Sequence, residues 1–151
     1  MNKIYTTDLS GAKWLTLGLL SDFGWIAYFV GFALYMANGA DGLETKAISV
    51  TFLLNCLCVL AVMIGIIEII SQRIRKLGRT IRKADLIFGF GFAVFGSLGG
   101  FLSSGASAVM DILMKYESGM CFAAHIVTAA GALTCFAFGL PILRSFKPEN
   151  E

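Results

Sequence analysis

The chain has 151 residues, of which 57% are hydrophobic and only 15% are Asp, Glu, Lys or Arg. A soluble domain usually carries about 25% charged residues, so this composition excludes an ordinary soluble domain. The length allows one domain, and the abundance of Gly (17 residues) over Pro (two residues) is typical of close-packed transmembrane helices.

Four apolar stretches occur along the chain, and each is long enough for a helix that crosses the hydrocarbon core, which takes about 20 residues. We therefore predict an all-α integral membrane protein. Its fold is expected to be a four-transmembrane-helix bundle made of two helical hairpins, in a single membrane domain of residues 1–151. The predicted spans are residues 14–37, 46–71, 85–108 and 120–144.

The first span follows a polar segment in which Ser10 is a candidate helix cap. Trp14 occupies the position of an interfacial aromatic residue. The span contains one charged residue, Asp22, and is followed by the turn-forming residues 38–42. In the second span, Asn55 lies in the outer half, and Glu68 lies near the inner end, where an ion pair with Arg75 would explain it.

A loop at residues 72–85 separates the two halves of the chain and carries half of its basic residues. Loops dense in Lys and Arg remain on the cytoplasmic side, so this loop and both termini are predicted to be cytoplasmic. That side would hold ten of the twelve basic residues, leaving Lys46 and Lys115 outside. We expect the loop to contact anionic lipid headgroups and not nucleic acid. Its basic residues are Arg73, Arg75, Lys76, Arg79, Arg82 and Lys83.

The third span contains small residues that recur every three or four positions and so form one stripe along a helix. Such stripes allow a second helix to approach closely, although a pore lining would also be built from small and hydroxyl residues. The stripe consists of Gly89, Ala93, Gly96, Gly100, Ser103 and Ser107. The amphipathic segment after it, residues 109–119, either extends the third helix or lies on the outer membrane surface.

Ionisable groups inside a span need a reason, because each costs about 2.5–3.5 kcal/mol on insertion scales. Asp22 is a candidate cation or proton site, or else a partner in a hydrogen bond between helices. His125 begins the fourth span, where hydroxyl groups could surround it and form a binding site or proton relay. In a proton relay, Asn55 would be the polar residue between Asp22 and His125. The candidate binding residues are Asp22, Asn55, His125, Thr51, Ser104 and Thr128.

Known catalytic and metal-binding motifs are absent from the sequence. One His cannot form a multi-His metal site or a heme site with two His ligands, and the four cysteines form no C-x-x-C pair. We therefore expect no catalytic residue, no metal and no cofactor.

Two classes of function remain after these exclusions. One is a small-solute or ion transporter or channel, acting as a homo-oligomer because four helices enclose little space. The other is a non-catalytic accessory subunit that packs against a larger membrane partner. A membrane-embedded enzyme is a third alternative. The expected surroundings are the lipid bilayer, in a bacterial plasma membrane.

Overall fold

The computed structural model describes residues 3–38, 50–74, 80–114 and 119–149. Its four long helices are α1 (Gly11–Asn38), α2 (Val50–Ile74), α3 and α4 (Gly119–Ser145). Helix α3 runs without a break through Lys83–Asp85, the π-helical segment Leu86–Gly91 and Phe92–Met114. This nearly all-helical architecture confirms the predicted helix number.

Each long helix contains a stretch that is long and apolar enough to cross a membrane. The bundle also exposes large apolar side chains along its outside, for example Leu57 (62% exposed) and Phe95 (61% exposed). Water would disfavour such a surface, whereas lipid chains match it. The four stretches are Gly11–Ala37, Phe52–Ser71, Lys83–Val109 and Phe122–Ser145.

Local interactions explain where two of the helices begin and end. Helix α1 begins after Ser10, whose Oγ accepts a hydrogen bond from the Lys13 backbone N–H at 3.4 Å. This side-chain cap satisfies one of the backbone donors left over at a helix start. Helix α3 continues to Met114, so the described part of the amphipathic segment, residues 109–114, extends the third helix.

The helices pack in the order α1, α4, α3, α2, so α1 lies against α4 and α2 lies against α3. Glycines make both contacts close. A Cβ added at Gly31 of α1 would lie 2.6 Å from Thr128 Oγ1 of α4, and one added at Gly65 of α2 would lie 2.6 Å from the Gly89 carbonyl oxygen of α3. Helices α3 and α4 also pack against each other, and dispersion contacts along this row of helices can stabilise it in lipid.

Consecutive helices α1 and α2 are not a close-packed pair in the described part of the chain. The hairpin expected for the first two spans stays a prediction, and the close partner of α1 in the described residues is α4. Large side chains fill the wider space between α1 and α2, and Tyr28 of α1 packs with Val59 and Val62 of α2.

A three-stranded antiparallel sheet lies at one end of the bundle, and the all-α prediction did not include it. Strand β1 (Ile4–Thr7) is central, between β2 (Thr80–Arg82) and β3 (Phe146–Pro148). Tyr5 is paired with Ile81, and Thr6 with Lys147. The sheet thus gathers the segment before α1, the segment before α3 and the segment after α4.

An apolar cluster joins the sheet to the helices. Its buried members are Ile81 and Phe146 from the strands, Phe90 from α3 and Ile142 from α4. The Trp14 ring packs on this cluster, with centroids 5.9 Å from Phe90 and 5.7 Å from Phe146. Burial of these side chains compensates for the weak pairing of such short strands.

Candidate functional site

A cavity of about 110 Å³ lies among all four long helices. Helix α1 contributes Ser21, Asp22 and Trp25 to its wall, and α2 contributes isoleucines at positions 66, 69 and 70. Asp22 is the only formally charged side chain among the described residues of the lining. The arrangement therefore places one carboxylate in a largely apolar space between membrane-length helices.

The Asp22 carboxylate is held by its own helix. The Trp25 indole N–H donates a hydrogen bond to Asp22 Oδ1 at 3.2 Å, because residues three apart lie on neighbouring positions of a helix. The Trp25 ring packs in turn on Phe29, with ring centroids 5.6 Å apart. This contact restricts both side chains and gives the carboxylate a defined orientation at the cavity wall.

Polar atoms also meet where α1 lies against α4 at the cavity. Ser21 Oγ is 3.8 Å from Cys135 Sγ, within hydrogen-bonding distance for sulfur, and Cys135 is buried. Gly139 lies one turn further along α4 and also lines the cavity. A small residue there leaves room that a larger side chain would fill.

A buried hydrogen-bonded network lies beyond the cavity and joins three helices. The Tyr28 hydroxyl of α1 donates to Asn55 Oδ1 of α2 at 2.9 Å, and Asn55 Nδ2 donates to Ser104 Oγ of α3 at 3.1 Å. All three residues are buried, with exposed fractions of 0%, 3% and 0%. We name Tyr28, Asn55 and Ser104 the polar triad.

The structure thus brings two of the predicted candidates, Asn55 and Ser104, into a direct hydrogen bond and adds Tyr28, which the sequence did not single out. A signal for Tyr28 was available. It follows Asp22 and Trp25 at helical spacing, and a tyrosine hydroxyl in an apolar span needs a hydrogen-bonding partner.

Tyr28 lies beyond the described lining of the cavity, on the side away from the sheet. It lies one turn beyond Trp25 and packs in the buried cluster with Val62 and Ala132. Its ring reaches Gly100 of α3, where an added Cβ would lie 2.6 Å from Tyr28 Cζ. The absence of a side chain at Gly100 therefore permits Tyr28 to reach across the bundle.

The other candidates lie in different surroundings. His125 is buried (3% exposed), and its ring centroid is 4.3 Å from that of Tyr35. Thr128 Oγ1 donates to the Ala124 carbonyl oxygen at 2.7 Å within its own helix. In the described part of the structure, neither residue lines the cavity that contains Asp22. Asp22 and His125 therefore do not face one shared polar cavity.

The small-residue stripe of α3 faces other helices for much of its length. A Cβ added at Gly96 would lie 2.9 Å from Val62 Cγ2 and 3.2 Å from Ala61 Cβ of α2. Gly89, Ala93 and Ser103 are buried, and Ser107 is partly buried. These positions agree with a packing surface, and the importance of the stripe for assembly stays a prediction.

The basic loop is described in part. Arg82 forms an ion pair with Asp85, with Nε 2.9 Å from Oδ2, and Lys83 is exposed. The residues at 75, 76 and 79, and the side chains of Thr51 and Arg73, lie outside the described residues. The proposed lipid contacts of this loop therefore stay a prediction.

One more ion pair ties the two outermost parts of the described chain. Lys147 Nζ donates to Asp8 Oδ2 at 2.7 Å. This hydrogen bond, together with the charge of the ammonium group, holds the pKa of the Asp8 carboxyl below its ordinary value. The same pairing raises the pKa of Lys147.

Side chains that could ligate a metal ion are scattered. Among the described residues, no three of His, Cys, Asp or Glu come together as a metal-binding group. Comparison with protein-family models, with curated proteins and with solved structures finds no match to this chain. The function must therefore be argued from the cavity, the polar triad and the packing of the helices.

Proposed function

We propose that this protein moves a small solute or ion across a membrane, and that Asp22 binds a cation or proton during that movement. The observation that supports the proposal is the position of the Asp22 carboxylate, which faces a cavity enclosed by four membrane-length helices.

The depth of Asp22 gives this observation its weight. The residue lies eleven positions after the first residue of α1, Gly11, which is about 17 Å at the rise of a helix. A carboxylate in the membrane interior is costly, by about 2.5–3.5 kcal/mol on insertion scales. The hydrogen bond from Trp25 needs only an acceptor oxygen, which an uncharged Asn would also supply. The hydrogen bond to Trp25 alone therefore does not require an acid at this position.

The packing of the helices supports a conformational change. Helix α4 packs closely on both α1 and α3, and α2 packs closely on α3. Between α1 and α2 the link is made by large side chains, including the hydrogen bond from Tyr28 to Asn55. We propose that α1 and α2 move relative to each other, and that the polar triad joins them beyond the cavity, on the side away from the sheet.

The orientation follows from the basic residues. Ten of the twelve lie in the segments that the sheet brings to one end or in the stretches next to them. The positive-inside rule then makes the sheet end cytoplasmic, with both termini on that side. We propose a location in a bacterial plasma membrane, with the basic residues next to anionic headgroups.

A homo-oligomer is part of the same proposal, because a cavity of about 110 Å³ in one chain is small for a complete pathway.

The competing function is a non-catalytic subunit of a larger membrane complex. A subunit of that kind would not move charge through the cavity at Asp22. Asp22 is thus the residue that separates the two functions.

The test is charge movement in proteoliposomes adsorbed on a solid-supported membrane. Steps in pH and in Na⁺ concentration are applied to liposomes that contain the wild-type protein. We expect transient currents that are absent from empty liposomes. Asp22→Asn should abolish them, because Asn keeps the shape and the hydrogen-bond acceptor but cannot ionise.

The matched control is Asp8→Asn, the same chemical change at an exposed carboxylate outside the cavity. It should retain the wild-type currents. Absence of currents from wild-type liposomes, or equal currents from Asp22→Asn, would overturn the proposed transport role and favour the subunit.

A further inference from the structure

We propose that a groove on the outside of the bundle binds one acyl chain of an anionic phospholipid, whose phosphate lies against basic side chains at the sheet end. This lipid site lies along α3 and is independent of Asp22 and of the transport proposed above. Phosphatidylglycerol serves as the probe, because it combines two acyl chains with a singly charged headgroup.

The groove has a volume of about 430 Å³ and runs along α3. Helix α2 contributes Ala61 and α4 contributes Leu143, while the other described lining residues belong to α3, from Leu86 to Gly96. Ligand pockets in proteins usually measure about 300–1,000 Å³, so the groove has the size of a ligand site. Its described lining residues are all apolar or glycine, which suits a hydrocarbon chain.

A glycine at the end of a π-helical segment leaves the groove open. Gly91 is the last residue of the segment Leu86–Gly91, and a Cβ added there would lie 3.6 Å from the Leu86 carbonyl oxygen, an ordinary contact distance. The exposed side chains of Ile87 and Phe95 lie about one turn before and one turn after Gly91. The space above Gly91 is therefore bounded by larger apolar side chains on the same face of α3.

The length of the groove matches one leaflet of a bilayer. Leu86 and Gly96 are ten positions apart, which is about 15 Å at the rise of a helix. The hydrocarbon core of a bilayer is about 30 Å thick, so each leaflet contributes about 15 Å. Lys83 directly follows strand β2 and begins α3 at the sheet end. An acyl chain that enters beside Lys83 would therefore follow the groove to the middle of the membrane.

Basic residues lie at the sheet end of the groove. Lys83 is exposed in the first turn of α3, about one turn before the centre of the π-helical segment. Arg144 is exposed in the last turn of α4 and directly follows the groove residue Leu143. Asp85, an acidic residue at this end, forms an ion pair with Arg82. Lys83 and Arg144 therefore favour an anionic headgroup over a zwitterionic one.

The same charges disfavour a second copy of the chain as the occupant. Copies inserted in the same orientation would place one basic end beside another, and like charges at a contact weaken association. A phospholipid brings an acyl chain for the apolar groove and a phosphate for the basic end. One lipid molecule thus matches both parts of the site.

The test counts lipids bound to the purified full chain by native mass spectrometry, after release from an uncharged detergent. Phosphatidylglycerol and phosphatidylcholine with the same acyl chains are titrated separately. We expect one molecule of phosphatidylglycerol to bind at least about fivefold more tightly, the effect of about one basic side chain near an anionic headgroup. Glycerol 3-phosphate has the phosphate without an acyl chain and should not displace the lipid.

Two matched pairs of variants test the residues. Gly91→Leu fills the groove and should weaken phosphatidylglycerol binding at least about tenfold, because its side chain replaces several CH₂ groups of the lipid. Gly105→Leu, at a position of α3 where an added Cβ meets nothing within 4 Å, should leave binding unchanged. Lys83→Gln should weaken binding about fivefold, whereas Lys13→Gln, at an exposed position of α1, should not.

The chain length of the lipid gives a second test that needs no variant, in case Gly91→Leu does not fold. Short-chain phosphatidylglycerol should bind the wild-type protein at least about tenfold more weakly than the long-chain lipid. Equal affinities for the two chain lengths, equal affinities for the two headgroups, or tight binding that survives Gly91→Leu would overturn the lipid site. Displacement by glycerol 3-phosphate would also overturn it, as would a lipid-free dimer that Gly91→Leu dissociates.

Discussion

Tyr28 and Asn55 join α1 to α2 by a hydrogen bond of 2.9 Å, although these two helices do not pack closely in the described part of the chain. Asn55 passes the connection on to Ser104 of α3. One buried asparagine thus connects α1, α2 and α3. Since lipid offers no competing hydrogen bonds, each member of this triad depends on the others.

The first prediction concerns the strength of that bridge. Tyr28→Phe should lower the free energy of unfolding by about 0.6 kcal/mol and at most by about 1.7 kcal/mol, the range measured for hydrogen bonds between membrane helices. Asn55→Leu should cost more, because it leaves Tyr28 and Ser104 without their partner. The free energy of unfolding in mixed micelles is measured for the two single variants and the double variant. The three values give the coupling energy between Tyr28 and Asn55. If the losses of stability from the two single variants simply add in the double variant, the bridge is contradicted. Tyr5→Phe is the matched control, since it deletes a tyrosine hydroxyl outside the triad.

The second prediction concerns the small residues of α3. Gly96→Leu and Gly100→Leu should each destabilise the protein by about 1–3 kcal/mol, because the new side chains overlap Val62 and Tyr28. Gly105→Leu is the matched control on the same helix, since an added Cβ there meets nothing within 4 Å. The thermal stability of the three variants is compared by heating each one and measuring the remaining folded protein by size-exclusion chromatography. Equal tolerance at all three positions would show that the stripe does not pack against other helices.

A third prediction separates the charge of Asp22 from its hydrogen bond. Asp22→Asn keeps an acceptor for the Trp25 indole and should change stability little. Asp22→Leu removes the acceptor and should cost about 1–2 kcal/mol, the scale of a hydrogen bond in a membrane protein. Thermal unfolding of the two variants measures the difference. Equal destabilisation by Asn and Leu would show that the structure itself requires the charge, which contradicts this prediction.

The fourth prediction concerns orientation in the membrane. In a variant without native cysteines, Lys83→Cys and Leu113→Cys place one thiol at each end of α3, at exposed positions. A membrane-impermeant maleimide added to intact cells should label only position 113, because the sheet end is proposed to be cytoplasmic. Glu149→Cys, just after β3, should behave like Lys83→Cys. Labelling of position 83 in intact cells would invert the proposed topology.

The last prediction uses the ion pair of Asp8 and Lys147. A lowered pKa at Asp8 means that its stabilising effect is present above the ordinary carboxyl pKa of 3.8 and is lost as the pH falls through the lower, folded value. The raised pKa of Lys147 gives an effect that is present at neutral pH and lost in strong alkali. Lys147→Gln should therefore lower the melting temperature slightly near pH 7 and have no effect in strong acid. Both groups are exposed, so a high salt concentration should also remove the difference.

The membrane-length helices could be predicted from the sequence because long apolar runs are a strong signal. The third predicted span, residues 85–108, lies inside Lys83–Val109. The order of packing was harder to predict. Glycines at 24, 31 and 131 bring α1 and α4 close together, and chain connectivity does not reveal that contact. The sheet was missed because strands of three or four residues show too little periodicity to be recognised singly.

The candidate site was predicted in part. Asp22, Asn55 and Ser104 were singled out because polar residues are rare in such spans. The sequence could not show that Asp22 faces a cavity whereas Asn55 and Ser104 bond to each other. That distinction depends on the rotation of each helix relative to its neighbours, which an isolated sequence does not contain. Tyr28 was missed because tyrosine was counted with the hydrophobic residues, although its ring carries a polar hydroxyl.

The sheet has a consequence for the order in which the protein is made. Its central strand, β1, is synthesised first, but one neighbour precedes α3 and the other follows α4. Pairing with β2 can begin once the first two helices have been inserted, whereas pairing with β3 must wait until α4 has left the ribosome. During synthesis, one edge of β1 therefore stays unpaired until β3, which follows α4, has been made. If α4 fails to insert, that edge of β1 stays exposed. We expect quality-control proteases to recognise such an incomplete bundle by its exposed strand edge.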